Sequence, residues 1–126
     1  MNATPSQIRI LVVDDHPLLR QGIARLVADQ SDMSLVAEAS NGREAIVQFR
    51  AHRPDVTLMD LQMPEMNGLE AMVAIRKEFP EAKIIILTTY ESDAQGAMKL
   101  GARAYLLKTQ LDKELLRTIR AVQGEK

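Results

Sequence analysis

The chain contains no cysteine and no tryptophan, and only 3% of its 126 residues are aromatic. Without thiols there can be no disulfide, no thiolate nucleophile and no zinc site built on sulfur. So few aromatic rings argue against a base-stacking platform for nucleic acid. An excess of one charge is lacking too. Sixteen basic and 17 acidic residues leave a formal net charge of −1, with no basic surplus for wrapping nucleic acid. No apolar run approaches the ~20 residues that cross a bilayer. The polar stretch Met1–Gln7 has neither the basic start nor the apolar centre of a signal peptide. A soluble cytoplasmic protein without membrane association is expected.

Hydrophobic residues, at 46%, suffice for a core, and the 26% that are charged can cover it. The length fits one domain spanning 1–126, with its core at about 7–123. Short apolar runs alternate with helical periodicity five times. Ile8–Val13 is nearly continuous in apolar residues, as in a strand covered on both faces. After Asp14-Asp15-His16-Pro17 the period changes: Leu18/Leu19, Gly22/Ile23 and Leu26/Val27 mark a helix, with Pro17 in its first turn. Leu35–Ala39 predicts a second strand, and Asn41-Gly42-Arg43-Glu44 caps a helix carrying Ala45, Ile46 and Phe49. Pro54 stops it before the strand Val56–Met59, which ends at Asp60.

A second cap, Asn67-Gly68-Leu69-Glu70, opens a helix with Met72, Ile75 and Phe79 at helical spacing. Lys83–Leu87, β-branched at three positions, ends at Thr88. A short helix from about Asp93 closes at Leu100-Gly101, and Ala104–Leu107 is the fifth strand, ending at Lys108. The last helix carries Leu115, Ile119 and Val122, its start lying between Thr109 and Asp112. Five such units imply right-handed crossovers and a doubly wound α/β (βα)5 fold, its parallel sheet in the flavodoxin-like order 2-1-3-4-5.

Sites in such sheets form beyond the carboxyl ends of the strands, where strand order reverses. The unusual polar residues obey this rule. Asp14 and Asp15 follow strand one, Asp60 ends strand three, Thr88 strand four and Lys108 strand five, whereas strand two ends in Ser40, away from the cluster. Carboxylates about 4 Å apart repel by several kcal/mol at a near-surface dielectric, and a divalent cation relieves this. An all-oxygen donor set favours Mg2+ over zinc. A centrally placed Asp60 can attack phosphorus to give an acyl phosphate, with Lys108 and Thr88 holding the other oxygens.

Four stretches together are similar to the signature of two-component response regulator receiver domains. They are Val12-Val13-Asp14-Asp15-His16-Pro17, Met59-Asp60-Leu61-Gln62-Met63-Pro64-Glu65-Met66-Asn67-Gly68-Leu69-Glu70, Leu87-Thr88-Thr89 and Tyr105-Leu106-Leu107-Lys108. The similarity covers residues 7–123, and its opening and ending resemble the NarL/FixJ-type regulators, whose receivers precede a LuxR-like helix-turn-helix domain.

The resemblance implies Asp60 as phosphoacceptor, with Asp14, Asp15, Asp60 and the backbone carbonyl of Gln62 around Mg2+. Thr88 and Lys108 would engage the phosphoryl group, and Tyr105 would swing inward behind Thr88. A cognate histidine kinase would be the donor, a homodimer would form on phosphorylation, and DNA would be bound only through a C-terminal domain not present in this chain. Such a protein catalyses only phosphoryl transfer to, and hydrolysis from, its own Asp60. Two positions depart from the common pattern. Thr109 replaces a frequent proline, which disfavours a cis bond by about 3 kcal/mol, and Thr89 is bulkier than the usual alanine or glycine.

Other readings of these residues fare worse. Asp14-Asp15 could cap the first helix, but that leaves Asp60 and Lys108 unexplained. His16 is expected to serve the helix start, and His52 the dipole of a helix end. An aspartate-nucleophile phosphatase would carry Asp-x-Asp after strand one. A flavodoxin-like cofactor binder would not place two carboxylates where a phosphate must sit.

Overall fold

A computed structural model describes residues 7–125. The stretch expected to lack a signal peptide lies outside this range except for Gln7, as does Lys126. The strands are β1 (Ile8–Val13), β2 (Met33–Ala39), β3 (Val56–Asp60), β4 (Ile84–Thr88) and β5 (Ala104–Leu107). Between and after them run α1 (Pro17–Ala28), α2 (Gly42–His52), α3 (Gly68–Glu78), α4 (Glu91–Lys99) and α5 (Leu111–Gln123). All strand pairs are parallel and the sheet order is β2-β1-β3-β4-β5, as the alternation of elements predicts.

The continuous apolar runs conceal a period of two, because successive strand side chains leave by opposite faces. Ile10 and Val12 of β1, Leu58 of β3, and Ile85 and Leu87 of β4 enter one core with Ile23 and Val27 of α1 and Leu115, Ile119 and Val122 of α5. Leu11, Val13, Met59, Ile84 and Ile86 enter a second core with Phe49 of α2, Met72 and Ile75 of α3 and Ala97 of α4. Burying each large side chain contributes roughly 1.5–3 kcal/mol. A sheet covered on both faces leaves only its strand ends open to water, which is where a polar site can form.

Several details were not in the sequence reading, each with a local reason. β2 begins at Met33, not Leu35, because Met33 pairs with Ile8 across an edge strand that tolerates the polar Ser34. α4 begins at Glu91, ahead of Asp93, and both acids sit in its first turn, where the helix dipole favours them. A single 3-10 turn, Lys108–Gln110, leads into α5. Leu18 is 82% exposed: the buried stripe of α1 follows Ile23 and Val27, and Leu18 lies off it, since neighbours along a helix are turned by about 100°. The other punctuation is as expected. Asn67 and Glu70 form a reciprocal capping box, Gly101 takes the left-handed conformation at φ 111°, and every peptide bond among the described residues is trans.

Gly68 locks the loop after β3 to the strand. Its N–H donates to the Leu61 carbonyl at 3.0 Å, and a Cβ there would lie 1.9 Å from the Asp60 carbonyl oxygen. Gly96, on α4, has nothing within 4 Å of such a Cβ. In urea unfolding, Gly68→Ala should lose about 2 kcal/mol or more. Gly96→Ala should be neutral or up to about 1 kcal/mol more stable. Equal effects would mean that the loop is not held against Asp60.

Candidate functional site: an acidic pocket at the strand ends

The pocket is assembled by backbone pairing before any side chain is considered. Asp14 follows β1, and its N–H donates to the Ala39 carbonyl of β2 at 3.0 Å, while the Arg20 guanidinium donates to its carbonyl. Asp60 is the last residue of β3, paired in register with Leu87 of β4. Lys108 follows β5, whose Leu107 pairs with Thr88. The ends of β1, β3 and β5, with β4 between the last two, therefore deliver three charged side chains to one place.

Asp14 is fully buried and Asp60 is 2% exposed. The Lys108 ammonium lies 3.1 Å from Asp14 Oδ2 and 3.2 Å from Asp60 Oδ1, bridging the two carboxylates. Asp60 Oδ1 also accepts from the backbone N–H of Gln62 at 3.2 Å. The approach of Lys108 to Asp14 Oδ2 is a charge contact off the angle of a hydrogen bond. Asp14 Oδ2, Asp15 Oδ1 and Asp60 Oδ2 are all buried without a hydrogen-bond partner. Unpartnered buried oxygens carry a large desolvation cost unless a ligand satisfies them.

The three carboxylates and one ammonium leave the pocket negative. Burial pushes the Asp60 carboxyl above its ordinary range and the charge of Asp14 adds to this, while Lys108 and the Gln62 N–H oppose without reversing it. Burial by itself lowers the Lys108 ammonium, but attraction to Asp60 and Asp14 prevails and the net shift is upward. A divalent cation would satisfy both deficits, of charge and of hydrogen-bond partners, and the donor set is the oxygen-rich kind that suits magnesium.

Not every residue expected at the site is engaged there. The Thr88 hydroxyl donates to the Tyr90 carbonyl at 3.1 Å and accepts from the Tyr90 N–H at 3.3 Å. Tyr105 donates to Glu91 Oε1 at 2.6 Å, and this bond raises its phenol above the ordinary value. Both contacts tie β4 and β5 to the start of α4 rather than to the carboxylates. His16 is the N-cap residue of α1, as expected, and its carbonyl accepts from the Arg20 N–H at 3.1 Å. Its side chain makes no cap bond; Nδ1 lies 2.9 Å from Asp14 Oδ1 and 3.1 Å from Asp15 Oδ1. Its position next to the acidic pair was the only sequence signal for this. His52 does close α2 as expected.

The sequence profile of the response regulator receiver domain matches residues 10–120. The chain belongs to the response regulator receiver family. It is 40% identical over 119 residues to the nitrate/nitrite response regulator protein NarL of Escherichia coli (strain K12), covering 92% of this chain and 55% of that protein. The chain thus spans about half the length of the curated relatives it matches. It superposes with a TM-score of 0.86 and 31% identity on a DNA-binding response regulator of the LuxR family from Staphylococcus aureus, covering 93% and 99% of the two chains. The response regulator domain of Thermotoga maritima CheB gives 0.89 and 30%, covering 95% and 98%. Receiver domains are signalling domains of two-component systems. None of the described helices is long and apolar enough to cross a membrane.

Because the folded Asp60 carboxyl is raised above its unfolded value, its ionisation opposes folding. The penalty is absent where both states are protonated, below about pH 4, and complete above the folded pKa. Asp60→Asn cannot ionise. In metal-free buffer at pH 7 its Tm should exceed that of the parent by several degrees, and the gain should shrink as pH falls toward 4. Thermal melts showing no gain at neutral pH, or a gain independent of pH, would contradict this.

Proposed function

We propose that the chain is a phosphorylation-controlled switch in which Asp60 accepts a phosphoryl group from a histidine kinase. The observation that carries this reading is Asp60 Oδ2, a buried carboxylate oxygen without a partner, on a carboxylate whose other oxygen, Oδ1, lies 3.2 Å from the Lys108 ammonium. Oδ2 is the nucleophile. An oxygen–phosphorus bond forms at Asp60 as the nitrogen–phosphorus bond of a phosphohistidine breaks and the imidazole takes up a proton. Lys108, freed from one carboxylate by the loss of its charge, turns its donors to the phosphoryl oxygens.

Magnesium, when bound by Asp14, Asp15, Asp60 and the Gln62 carbonyl, supplies the charge neutralisation that brings an anionic phosphoryl group among carboxylates. Thr88 leaves the Tyr90 backbone to hold a phosphoryl oxygen, and Tyr105 leaves Glu91 to fill the space behind it. Each exchanges one hydrogen-bond partner for another, so the two arrangements can lie within a few kcal/mol and the acyl phosphate can bias them. Hydrolysis of that phosphate from Asp60 resets the switch, the only turnover assigned to the chain. Thr89 narrows the approach of water.

The chain is read as one receiver domain. Output passes through a changed surface around α4, through a homodimer, and through a DNA-binding domain elsewhere in the whole protein. The support is the class of its relatives, transcriptional regulators about twice as long.

Incubation with Mg2+ and acetyl phosphate should add about 80 Da to the intact mass, the mass of one phosphoryl group. Asp60→Asn should show no adduct, and Lys108→Ala should form it about a hundredfold more slowly. An adduct that persists in Asp60→Asn would overturn the assignment.

A further inference from the structure

His16 has no part in the phosphoryl chemistry, yet its ring stands at the mouth of the pocket. Nδ1 lies 2.9 Å from Asp14 Oδ1 and 3.1 Å from Asp15 Oδ1, and the His16 backbone N–H also donates to Asp14 Oδ1 at 2.8 Å. One nitrogen of His16 and one oxygen each of Asp14, Asp15 and Asp60 lie within 4.8 Å of one another. Two of the cluster's buried side-chain oxygens point to a ligand: Asp60 Oδ2 and Asp14 Oδ2 have no hydrogen-bond partner, the second having only the charge of Lys108 at 3.1 Å. The His16 side chain is 65% exposed, so the ring can reorient without unpacking the core, and the cap geometry of α1 does not depend on it.

We infer that His16 turns this pocket into a site for a borderline divalent transition ion, such as cobalt(II), nickel(II) or zinc(II), bound by its imidazole together with the carboxylates. The inference rests on the reading of the pocket as a cation site and adds its selectivity. Magnesium gains little from an imidazole, being a hard cation that prefers oxygen and water. Borderline ions gain substantially, in the order manganese, cobalt, nickel, copper. An all-oxygen pocket would discriminate weakly between these classes; one nitrogen placed against two carboxylates tilts it. Such an ion competes with magnesium for Asp14, Asp15 and Asp60, so the occupancy of the phosphoacceptor site depends on which metals are available.

The test uses tag-free protein and cobalt(II) alone, followed by its visible absorption and by competition with Mg2+. Parent protein should bind cobalt(II) at least about tenfold more tightly than Mg2+. His16→Asn, which keeps a good cap residue, should weaken cobalt(II) by about tenfold and change Mg2+ by less than about twofold. His52→Asn, which alters the only other histidine, should leave both affinities unchanged. In the parent, cobalt(II) should also shift the His16 ring proton resonances outside the diamagnetic range, a readout that needs no variant. If Mg2+ binds but cobalt(II) affinity is the same in His16→Asn and the ring resonances stay in place, the inference is overturned and the phosphoacceptor reading stands. If neither ion binds the parent protein, both are overturned.

Discussion

One ammonium group between two buried carboxylates is the contact on which the site depends. Lys108 stands about 3 Å from both Asp14 and Asp60, and without it those two carboxylates would face each other with no cation in the described structure. One oxygen each of Asp14 and Asp60 lie within 4.8 Å of one another, and two like charges about 4 Å apart cost on the order of 4 kcal/mol at an effective dielectric of 20. Lys108 offsets part of this. It cannot offset all of it, because Asp15 adds a third carboxylate and three of the oxygens remain unpartnered. The pocket is thus left short of positive charge, and that shortage is what the proposed cation and phosphoryl chemistry would draw on.

Such a concentration of charge opposes folding, so it has to be carried by something else. Two apolar cores, one on each face of the sheet, do this, and each takes alternate residues of the same strands. The strands hold Asp14, Asp60 and Lys108 at fixed register, while the polar contacts of Thr88 and Tyr105 lead away to α4. Only Ala94 and Ala97 of α4 are fully buried, small side chains that contribute little area. The helix nearest Thr88 and Tyr105 is therefore also among the most lightly anchored, which is where a movable element would be expected.

Most of this was legible in the sequence because each strand announces itself twice, once by an apolar run and once by a polar residue at its end. Asp14, Asp60 and Lys108 meet where the topology rule puts them, and the caps at Asn41 and Asn67 form as their spacing implies. What escaped was set by tertiary contacts or by side-chain direction. Ser34 looks wrong for a strand, yet pairing with Arg9 on an edge strand draws it in. Leu18 looks like core, but helical geometry turns it to solvent. His16 is the cap residue its position suggests, but spacing along the chain does not reveal that its ring lies against the acidic pair. Thr88 and Tyr105 were placed on the right strands, but their hydrogen-bond partners, Tyr90 and Glu91, lie in a loop and a helix start that periodicity locates only to within two residues.

The central claim is electrostatic: Lys108 and a divalent cation satisfy the same excess of carboxylate charge. Thermal melting of the parent protein and of Lys108→Met, each with and without Mg2+, tests it most directly. Without Mg2+ the variant should be the less stable of the two, since it leaves Asp14 and Asp60 buried and unpaired. Saturating Mg2+ should then raise its Tm by more than it raises the parent's, because the ion no longer shares the carboxylates with an ammonium. A Mg2+-induced rise in Lys108→Met equal to or smaller than the parent's would contradict the account.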